Sequence, residues 1–283
     1  MNKSTFLSLI IASMAATSCG SSTSNAGADA GQQGLISNFA ISETFKTATA
    51  SYLCEGDTTF GAGVPVYTTR SVSVQWPERF GSNDLTCLHD SLLSAVFDSR
   101  PAEIDAAIGD FLAHPAGFGD YKLSKVDSVP AGNVRELFHD VRCHTVGFCD
   151  SYIVYKIERT EYQGGAHSSY SASFLNYDVR HNNVLDFSEI LLPGNDNAIL
   201  DVVKSTLCDQ FYASSLQELA EKAGIFTDQI FLSHNIYLTD HSIVFYYNPY
   251  DIAPWAVGAV EVAVPWYEIS QYLTPGVRSL MSK

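Results

Sequence analysis

His167 is the titratable side chain whose sequence neighbours best suit acid–base chemistry. The carboxylates Glu161 and Asp178 lie on either side of it, and an imidazole beside a carboxylate can exchange a proton near neutral pH. The same imidazole could instead hydrogen-bond a neighbouring strand and fix a turn. His167, Glu161 and Asp178 are therefore candidate catalytic residues, and the structural role of His167 stays open beside the catalytic one.

Other sequence signals of catalysis are weak. Gly164 and Gly165 allow positive φ angles, but they lack the spacing and the following helix of a dinucleotide site. The sequence contains no Gly-x-Ser-x-Gly elbow, HExxH helix or Walker motif. We expect no cofactor, and an enzymatic role would have to depend on His167 and a nearby carboxylate.

Aromatic residues cluster near the C-terminus. Such rings can stack on sugars or anchor a protein partner, and they can equally fill a core. Tyr250, Trp255 and Trp266 are the candidate binding residues, beside the alternative that alternating members of the cluster are core side chains. The cluster comprises Tyr246, Tyr247, Tyr250, Trp255, Trp266 and Tyr267.

The cysteines suit an exported protein, in which disulfides can persist. Cys143 and Cys149 bracket a short segment, and we predict that they form a disulfide. The alternative is a metal site that adds His139 and His144, but this spacing matches no zinc signature, so no metal site is predicted. The other cysteines beyond Cys19 are Cys54, Cys87 and Cys208, the last two on apolar helix faces.

Hydrophobic spacing predicts three helices that would support these residues. One follows Asp84, a second begins at Pro101, and residues 196–212 give the third and most amphipathic helix. Asp186 and Glu189 have the spacing of a capping box, which indicates a further short helix. Residues 266–273 are expected to form a closing helix.

Alternating or β-rich segments predict strands that come in neighbouring pairs. We expect strands over 41–55, 70–76, 151–160, 169–179, 229–238, 241–248 and 259–264, and a loop over 118–132. Paired strands with interposed helices indicate an α+β fold with a mostly antiparallel sheet and packed helices.

The N-terminus resembles a secretion signal followed by a flexible linker. Residues 1–18 have the layout of a secretory signal peptide, and small residues precede Cys19 as in a bacterial lipobox. We therefore predict lipidation of Cys19, with residues 19–35 as a flexible tether of small and polar residues. The apolar run is too short to span a bilayer, so the expected link to the membrane is the lipid anchor.

The charge balance excludes some partners. The chain has 283 residues, 46 % hydrophobic and 17 % charged, which excludes a disordered polymer. Its net charge of −15 argues against nucleic-acid binding, because phosphates demand a basic face. Removal of residues 1–18 takes away Lys3 and no acid, which leaves 15 bases against 31 acids, or −16. Such a charge favours encounters with cationic partners.

Four ordered segments resemble a known family. They are Gly164-Gly165-Ala166-His167, residues 175–178 with 185–191, residues 245–258, and residues 262–269. Together they are similar to domain of unknown function 3298, the extracytoplasmic domain of RsiV-type anti-sigma factors. The resemblance spans roughly residues 135–275, and residues 40–130 are loosely similar to the accessory domain that often precedes it.

The resemblance implies an α+β fold and, for the RsiV type, recognition of lysozyme outside the cell. It divides the chain into an accessory region, 36–130, and an RsiV-like domain, 131–283. We expect a non-catalytic binding module, lipid-anchored in the bacterial cell envelope, in the outer membrane, with a cationic protein such as lysozyme or a wall glycan as its partner. The alternative is a glycan-acting hydrolase or an enzyme associated with deacetylases.

Overall fold

The computed structural model describes residues 41–56, 63–97, 103–114, 122–149 and 151–281. The predicted signal peptide, Cys19 and the predicted tether lie outside these described residues. Within them, no helix is long and apolar enough to cross a membrane.

Ten strands in the described ranges form two sheets. The large sheet has the order β3-β1-β2-β4-β5-β6-β7, and the small sheet has the order β10-β9-β8. The strands are β1 (Ile41–Glu55), β2 (Val66–Phe80), β3 (Lys122–Val126), β4 (Arg135–Phe148), β5 (Tyr152–Tyr162), β6 (Ser169–Asp178), β7 (Asn183–Val184), β8 (Ile236–Leu238), β9 (Ser242–Tyr247) and β10 (Val260–Pro265).

Helices occupy the connections between these strands. Short 3₁₀ turns at Trp255–Val257 and Ser270–Tyr272 complete the described segments. The α-helices are α1 (Thr86–Phe97), α2 (Ile104–Ala113), α3 (Phe187–Ile190), α4 (Asp196–Gln210), α5 (Leu216–Ala223), α6 (Trp266–Ile269) and α7 (Pro275–Met281).

The predicted α+β class with a mostly antiparallel sheet is confirmed. Every strand pair of the described chain is antiparallel except β2 with β4, which run parallel from Val66 opposite Arg135 to Val74 opposite Cys143. A parallel pair needs a long crossover, and the chain that carries α1, α2 and β3 provides it.

The large sheet is covered on both faces, which explains the apolar start of β5. Ile153, Tyr155 and Ile157 pack in one hydrophobic cluster with α1 and α2. Tyr152 and Val154 point the other way, into a cluster with α4 and the small sheet. A strand buried on both faces is apolar throughout rather than at every second residue.

The helices predicted after Asp84 and from Pro101 correspond to α1 and α2, which bury their regularly spaced apolar residues. Leu88, Leu92 and Val96 are each no more than 2 % exposed. The Asp84 carboxylate accepts the Thr86 N–H at 3.0 Å, so it satisfies one of the free donors at the start of α1. Pro101, the predicted first residue of the second helix, lies outside the described residues.

Three strands differ from the expectation, and one of them, β8, occupies only Ile236–Leu238 of the strand predicted over 229–238. β3 lies inside the segment predicted as a loop, where it pairs with β1 from Lys122 opposite Glu55 to Val126 opposite Ser51. β4 was not predicted, although it joins β2 to β5 in the middle of the sheet. For β3 and β4, pairing with distant strands, rather than a local pattern, determines the structure.

The large sheet contains strands from both sides of residue 130. β1, β2 and β3 come from the region predicted as accessory, and β4 to β7 come from the region predicted as RsiV-like. All of the described residues belong to one compact unit. The division at 130/131 therefore concerns similarity in sequence, and the two regions share one sheet.

The expected Cys143–Cys149 disulfide is wrong for this structure, because β4 holds the two residues apart. Both thiols are free. Cys143 is buried in the strand and Cys149 follows its end, so about 20 Å of extended chain separates them. A disulfide requires Cα atoms within about 7 Å. Apolar burial also raises the pKa of the Cys143 thiol, which disfavours its reactive thiolate form.

Three asparagine side chains join the small sheet to β6. The Asn176 amide donates to the carbonyl of Ile236 at 2.8 Å and accepts the N–H of Leu238 at 3.0 Å. Asn248 bonds both the N–H and the carbonyl of Ala172, and Asn235 donates to the same carbonyl. Asparagine side chains thus satisfy backbone groups of β6 and β8, although these two strands belong to different sheets and do not pair with each other.

We predict that Asn176→Leu destabilises the protein by about 3 kcal/mol, because it leaves two buried backbone groups of β8 without partners. Urea unfolding followed by circular dichroism measures this change. Asn197→Leu, on the exposed side of α4, is the matched control and should change stability by less than about 0.5 kcal/mol. Equal stability of the wild type and the Asn176 variant would contradict the assignment.

Candidate functional site

An exposed aromatic surface forms where the loop between β5 and β6 meets the loop after β9. It consists of His167, Tyr250 and Trp255, and we call it the aromatic surface. The His167 ring stacks on the Trp255 indole, with centroids 4.4 Å apart and planes 9° apart. The Tyr250 centroid is 6.2 Å from that of Trp255, and its hydroxyl is 3.2 Å from Nε2 of His167. Tyr250 is 58 % exposed, so its ring is available to a partner.

Asn248 positions the loop that carries Tyr250 and Trp255. Its amide oxygen accepts the Ala172 N–H at 2.7 Å, and its amide nitrogen donates to the Ala172 carbonyl at 3.2 Å. Asn235 donates to the same carbonyl at 2.8 Å. The Asn248 amide therefore supplies Ala172 with the acceptor and the donor that the backbone of a neighbouring strand would otherwise provide.

A tight turn then directs Tyr250 outward. The Asp251 carboxylate accepts the backbone N–H of Asn248 at 2.7 Å, and the Tyr250 N–H donates to Ala253 at 3.1 Å. Tyr250 has a φ of 75°, in the left-handed region that side chains other than glycine rarely adopt. Such a conformation costs about 1–3 kcal/mol and persists only where its surroundings enforce it.

The opposite loop depends on two glycines. Gly164 and Gly165 have φ angles of 96° and 111°, and the Tyr162 hydroxyl donates to the Gly165 carbonyl at 3.1 Å. A side chain at either position would meet backbone strain. The glycines therefore serve the turn that brings His167 to the Trp255 ring.

Hydrogen bonds occupy both nitrogens of the His167 ring. Nδ1 lies 2.9 Å from the carbonyl of Ser168, which can only accept, so Nδ1 carries the proton. In the neutral ring Nε2 then accepts from the Tyr250 hydroxyl. This arrangement fixes the ring against Trp255 and leaves neither nitrogen directed at a substrate.

Asp178 lies far from His167. The two are separated by β6, whose ten residues span about 30 Å. Asp178 is buried, accepts backbone N–H groups of Arg180 at 2.8 Å and His181 at 3.0 Å, and lies 2.7 Å from the His181 ring. Its carboxylate therefore holds the turn between β6 and β7.

Glu161 also has other partners. Its carboxylate accepts from the Gln163 amide, and its position on β5 is opposite His139 on β4. No hydrogen bond or ion pair of the described residues joins Glu161 or Asp178 to His167. The candidate acid–base pair is thus not assembled in this structure.

Trp266 does not join the aromatic surface. It begins α6, where its indole N–H donates to the Thr239 carbonyl at 3.2 Å and its ring packs against the core. Tyr246 and Tyr247 are buried, as the core alternative for the cluster supposes, and Tyr267 is 79 % exposed. Of the three candidate binding residues, the structure brings Tyr250 and Trp255 together.

Metal binding finds no support in the described ranges. No group of three or more His, Cys, Asp or Glu side chains there is placed to hold an ion. His144 instead lies 3.7 Å from the Glu158 carboxylate, away from the thiol of Cys143, which is buried with α1 and α2.

The sequence analysis missed the residues that support the aromatic surface. Asn248 and Asp251 were not singled out, although Asn-Pro-Tyr-Asp is a recognisable turn sequence in which both side chains can bond to nearby backbone. The contact of Asn248 with Ala172 had no local signal, because 76 residues separate the partners.

Comparisons with known proteins agree on one family. The family model described as "Protein of unknown function (DUF3298)" matches residues 188–267. A crystal structure of a DUF3298 family member from Bacteroides fragilis matches with a TM-score of 0.66 and 21 % identity, over 87 % of this chain and 98 % of that chain. A DUF3298 family protein from Pseudomonas aeruginosa PAO1 matches with a TM-score of 0.56 and 16 % identity, over 83 % and 96 %.

No curated protein matches the chain. At these identities the two structures show the shared fold alone. The matched segment contains Asn248, Tyr250 and Trp255, whereas His167 lies before it. The family model thus identifies residues 188–267 as a match to DUF3298, and the two solved structures agree with this chain in fold.

Proposed function

We propose that this chain is a non-catalytic binding protein of the bacterial cell envelope that captures a cationic protein of the lysozyme type on its aromatic surface. The observation that carries the proposal is the convergence of His167, Tyr250 and Trp255 from two distant loops. A turn with a left-handed tyrosine and an asparagine clamp maintain an exposed ring, which a purely structural loop would not need.

The chemistry of this surface suits a positively charged partner. Tyrosine and tryptophan rings attract lysine and arginine side chains through their negative faces, and they are frequent anchors of interfaces. The net charge of −15 attracts a basic protein over longer distances and raises the rate of encounter. Lysozyme as the partner comes from the RsiV resemblance, to which the DUF3298 match over residues 188–267 lends support at the level of the family alone.

The structure favours binding over hydrolysis. His167 has both nitrogens engaged, and the two candidate carboxylates have partners elsewhere. A glycosidase needs two carboxyl groups facing one bond, with separations of about 5–10 Å. His167 and the carboxylates that the sequence suggested form no such arrangement.

We place the protein outside the cytoplasm on a lipid anchor, in the outer membrane. This part of the proposal depends on the signal-peptide pattern of residues 1–18 and on Cys19. A tether of about 15 small residues would hold the domain roughly 20 Å from the lipid surface, within reach of soluble proteins.

We predict that the mature chain binds purified lysozyme in a calorimeter and that Tyr250→Ala or Trp255→Ala weakens this binding about 30-fold, the effect of losing an interface anchor. Added salt should weaken the complex further. Tyr267→Ala is the matched control, because it removes an exposed tyrosine from α6, and its affinity should equal that of the wild type.

Absence of heat and of co-elution at high micromolar concentration would overturn the lysozyme assignment. Equal affinity of wild type and Tyr250→Ala would overturn the aromatic surface as the binding site. Peptidoglycan fragments form a second arm, since aromatic rings also stack on sugars. Binding of fragments alone, lost in Trp255→Ala, would replace the protein ligand by wall glycan.

We also predict that Cys19→Ala abolishes incorporation of labelled palmitate and releases the protein from the membrane fraction, because the lipid is the expected anchor. Ser18→Ala, the neighbouring small residue, is the control and should keep the label. Membrane association that survives Cys19→Ala would contradict lipid anchoring. Trypsin treatment of intact cells would then show whether the domain faces the medium.

A further inference from the structure

A cavity lies where the C-terminal ends of α1 and α2 meet the large sheet, and it is distinct from the aromatic surface. Its volume is about 280 Å³. Two arginines and two histidines contribute to its lining, together with two phenylalanines. These residues are Arg70, His114, His139, Arg159, Phe97 and Phe111. Two arginines in one cavity are notable in a chain with 31 acidic side chains and 16 Lys or Arg side chains.

Arg70 is the central residue of this cavity. It is only 4 % exposed, and its guanidinium carbon lies 3.9 Å from the centre of the Phe111 ring. Its Nη1 donates to the His114 carbonyl and its Nη2 lies 3.2 Å from Nδ1 of His139. Its Nε–H has no hydrogen-bond partner in the described chain. A buried charged donor left without a partner is costly.

None of the groups that bond Arg70 is an anion. Its partners are a backbone carbonyl, an imidazole and an aromatic ring. Burial and the charge of Arg70 lower the pKa of His139, so that imidazole is neutral and its Nδ1 accepts the Arg70 donor. Glu161 attracts Arg70 electrostatically without accepting a hydrogen bond from it.

Arg159 adds a second guanidinium to the same wall. It lies on the face of β5 that α1 and α2 cover, where it pairs with Val141 of β4. Val141 is two residues along β4 from His139, the residue that pairs with Arg70. Its Nη2 donates to the carbonyls of Ala95 at 2.6 Å and Val96 at 3.2 Å, at the end of α1. Both arginines thus hold a helix end as well as line the cavity.

Two acidic residues of the described chain lie near the cavity. Asp110 lines it, with its carboxylate 3.1 Å from the His114 ring. Glu161 is opposite His139 in the sheet and accepts from Gln163. An additional negative group at the Nε–H of Arg70 would supply the missing acceptor.

We propose that this cavity binds a small organic carboxylate, whose oxygens accept from the Nε–H of Arg70 while its apolar part packs against Phe97 and Phe111. The planar guanidinium suits carboxylate oxygens, and the rings suit an aromatic or aliphatic group. The volume lies just below the range for drug-sized ligands, which indicates a compact molecule of benzoate size.

Calorimetry with the wild-type mature chain tests the proposal, with benzoate as the probe and benzamide as its neutral isostere. We expect saturable binding of one benzoate and at least about tenfold weaker binding of benzamide. Arg70→Lys keeps the charge but loses the planar donor set, so benzoate binding should weaken about tenfold. Arg142→Lys, exposed on the opposite face of β4, is the matched control and should bind as the wild type does.

A second measurement needs no variant and avoids any effect of Arg70→Lys on folding. In ¹H–¹⁵N spectra of the wild type, benzoate should shift the Arg70 Nε–H signal and the backbone signals of Phe111 and His139, but not that of Arg142. No saturation by ~10 mM benzoate, equal binding of benzamide, or shifts confined to other regions would overturn the proposal. Tighter binding of inorganic phosphate than of benzoate would overturn the organic class of the ligand.

These outcomes are independent of lysozyme binding. Tyr250→Ala should leave benzoate affinity unchanged, and Arg70→Lys should leave lysozyme affinity unchanged. Failure of one proposal therefore leaves the other intact.

Discussion

Side-chain amides at the outer edge of β6 are the interaction on which the C-terminal half of the structure depends. β7 pairs with β6 only at Tyr177 and Asp178, so most of that edge has no neighbouring strand. Asn176, Asn235 and Asn248 meet backbone groups there or on β8. Buried backbone polar groups must be satisfied, and an amide provides a donor and an acceptor on one rigid group.

The contacts of these three asparagines, which we call the asparagine junction, also account for the position of the aromatic surface. Asn248 is fixed to Ala172 near the start of β6, and the chain turns immediately afterwards through the left-handed Tyr250. His167 lies two residues before β6 begins, so the two loops meet at the same end of the strand. Stacking of His167 on Trp255 then follows from where the small sheet is held, without any carboxylate partner for the imidazole.

The two faces of the large sheet are covered by different elements. On one face the small sheet and α4 complete the core, and the aromatic surface lies at its margin. On the other face α1 and α2 cover the sheet, and Arg70 and Arg159 hold the carbonyl ends of these helices. Separate layers therefore carry the two proposed sites.

Local patterns in the sequence predicted much of the framework. Leu88, Leu92 and Val96 identified α1 by their helical spacing, and the alternation of β10 identified a strand buried on one face. The capping box at Asp186 is also present, since its carboxylate accepts the N–H groups of Ser188 and Glu189. Patterns of this kind can be read because the residues that create them are close in the chain.

Features that depend on distant partners could not be predicted in this way. β3 exists because β1 pairs with it, and β2 lies parallel to β4 because two helices intervene. Cys143 and Cys149 are close in sequence, which suggested a disulfide, but an extended strand separates them. The role of His167 stayed open in the sequence, because its stacking on Trp255 arises from a tertiary contact with no local signal.

Hydrogen exchange of the Ala172 amide tests the asparagine junction most directly, because the partner of that N–H is the side chain of Asn248. The account predicts that Ala172 is protected in the wild type and that Asn248→Ala lowers its protection at least about tenfold, while Ile157 in the middle of β5 keeps its protection. If Ala172 exchanges freely in the wild type, or is equally protected in a folded Asn248→Ala variant, the asparagine junction is not what holds the two sheets together.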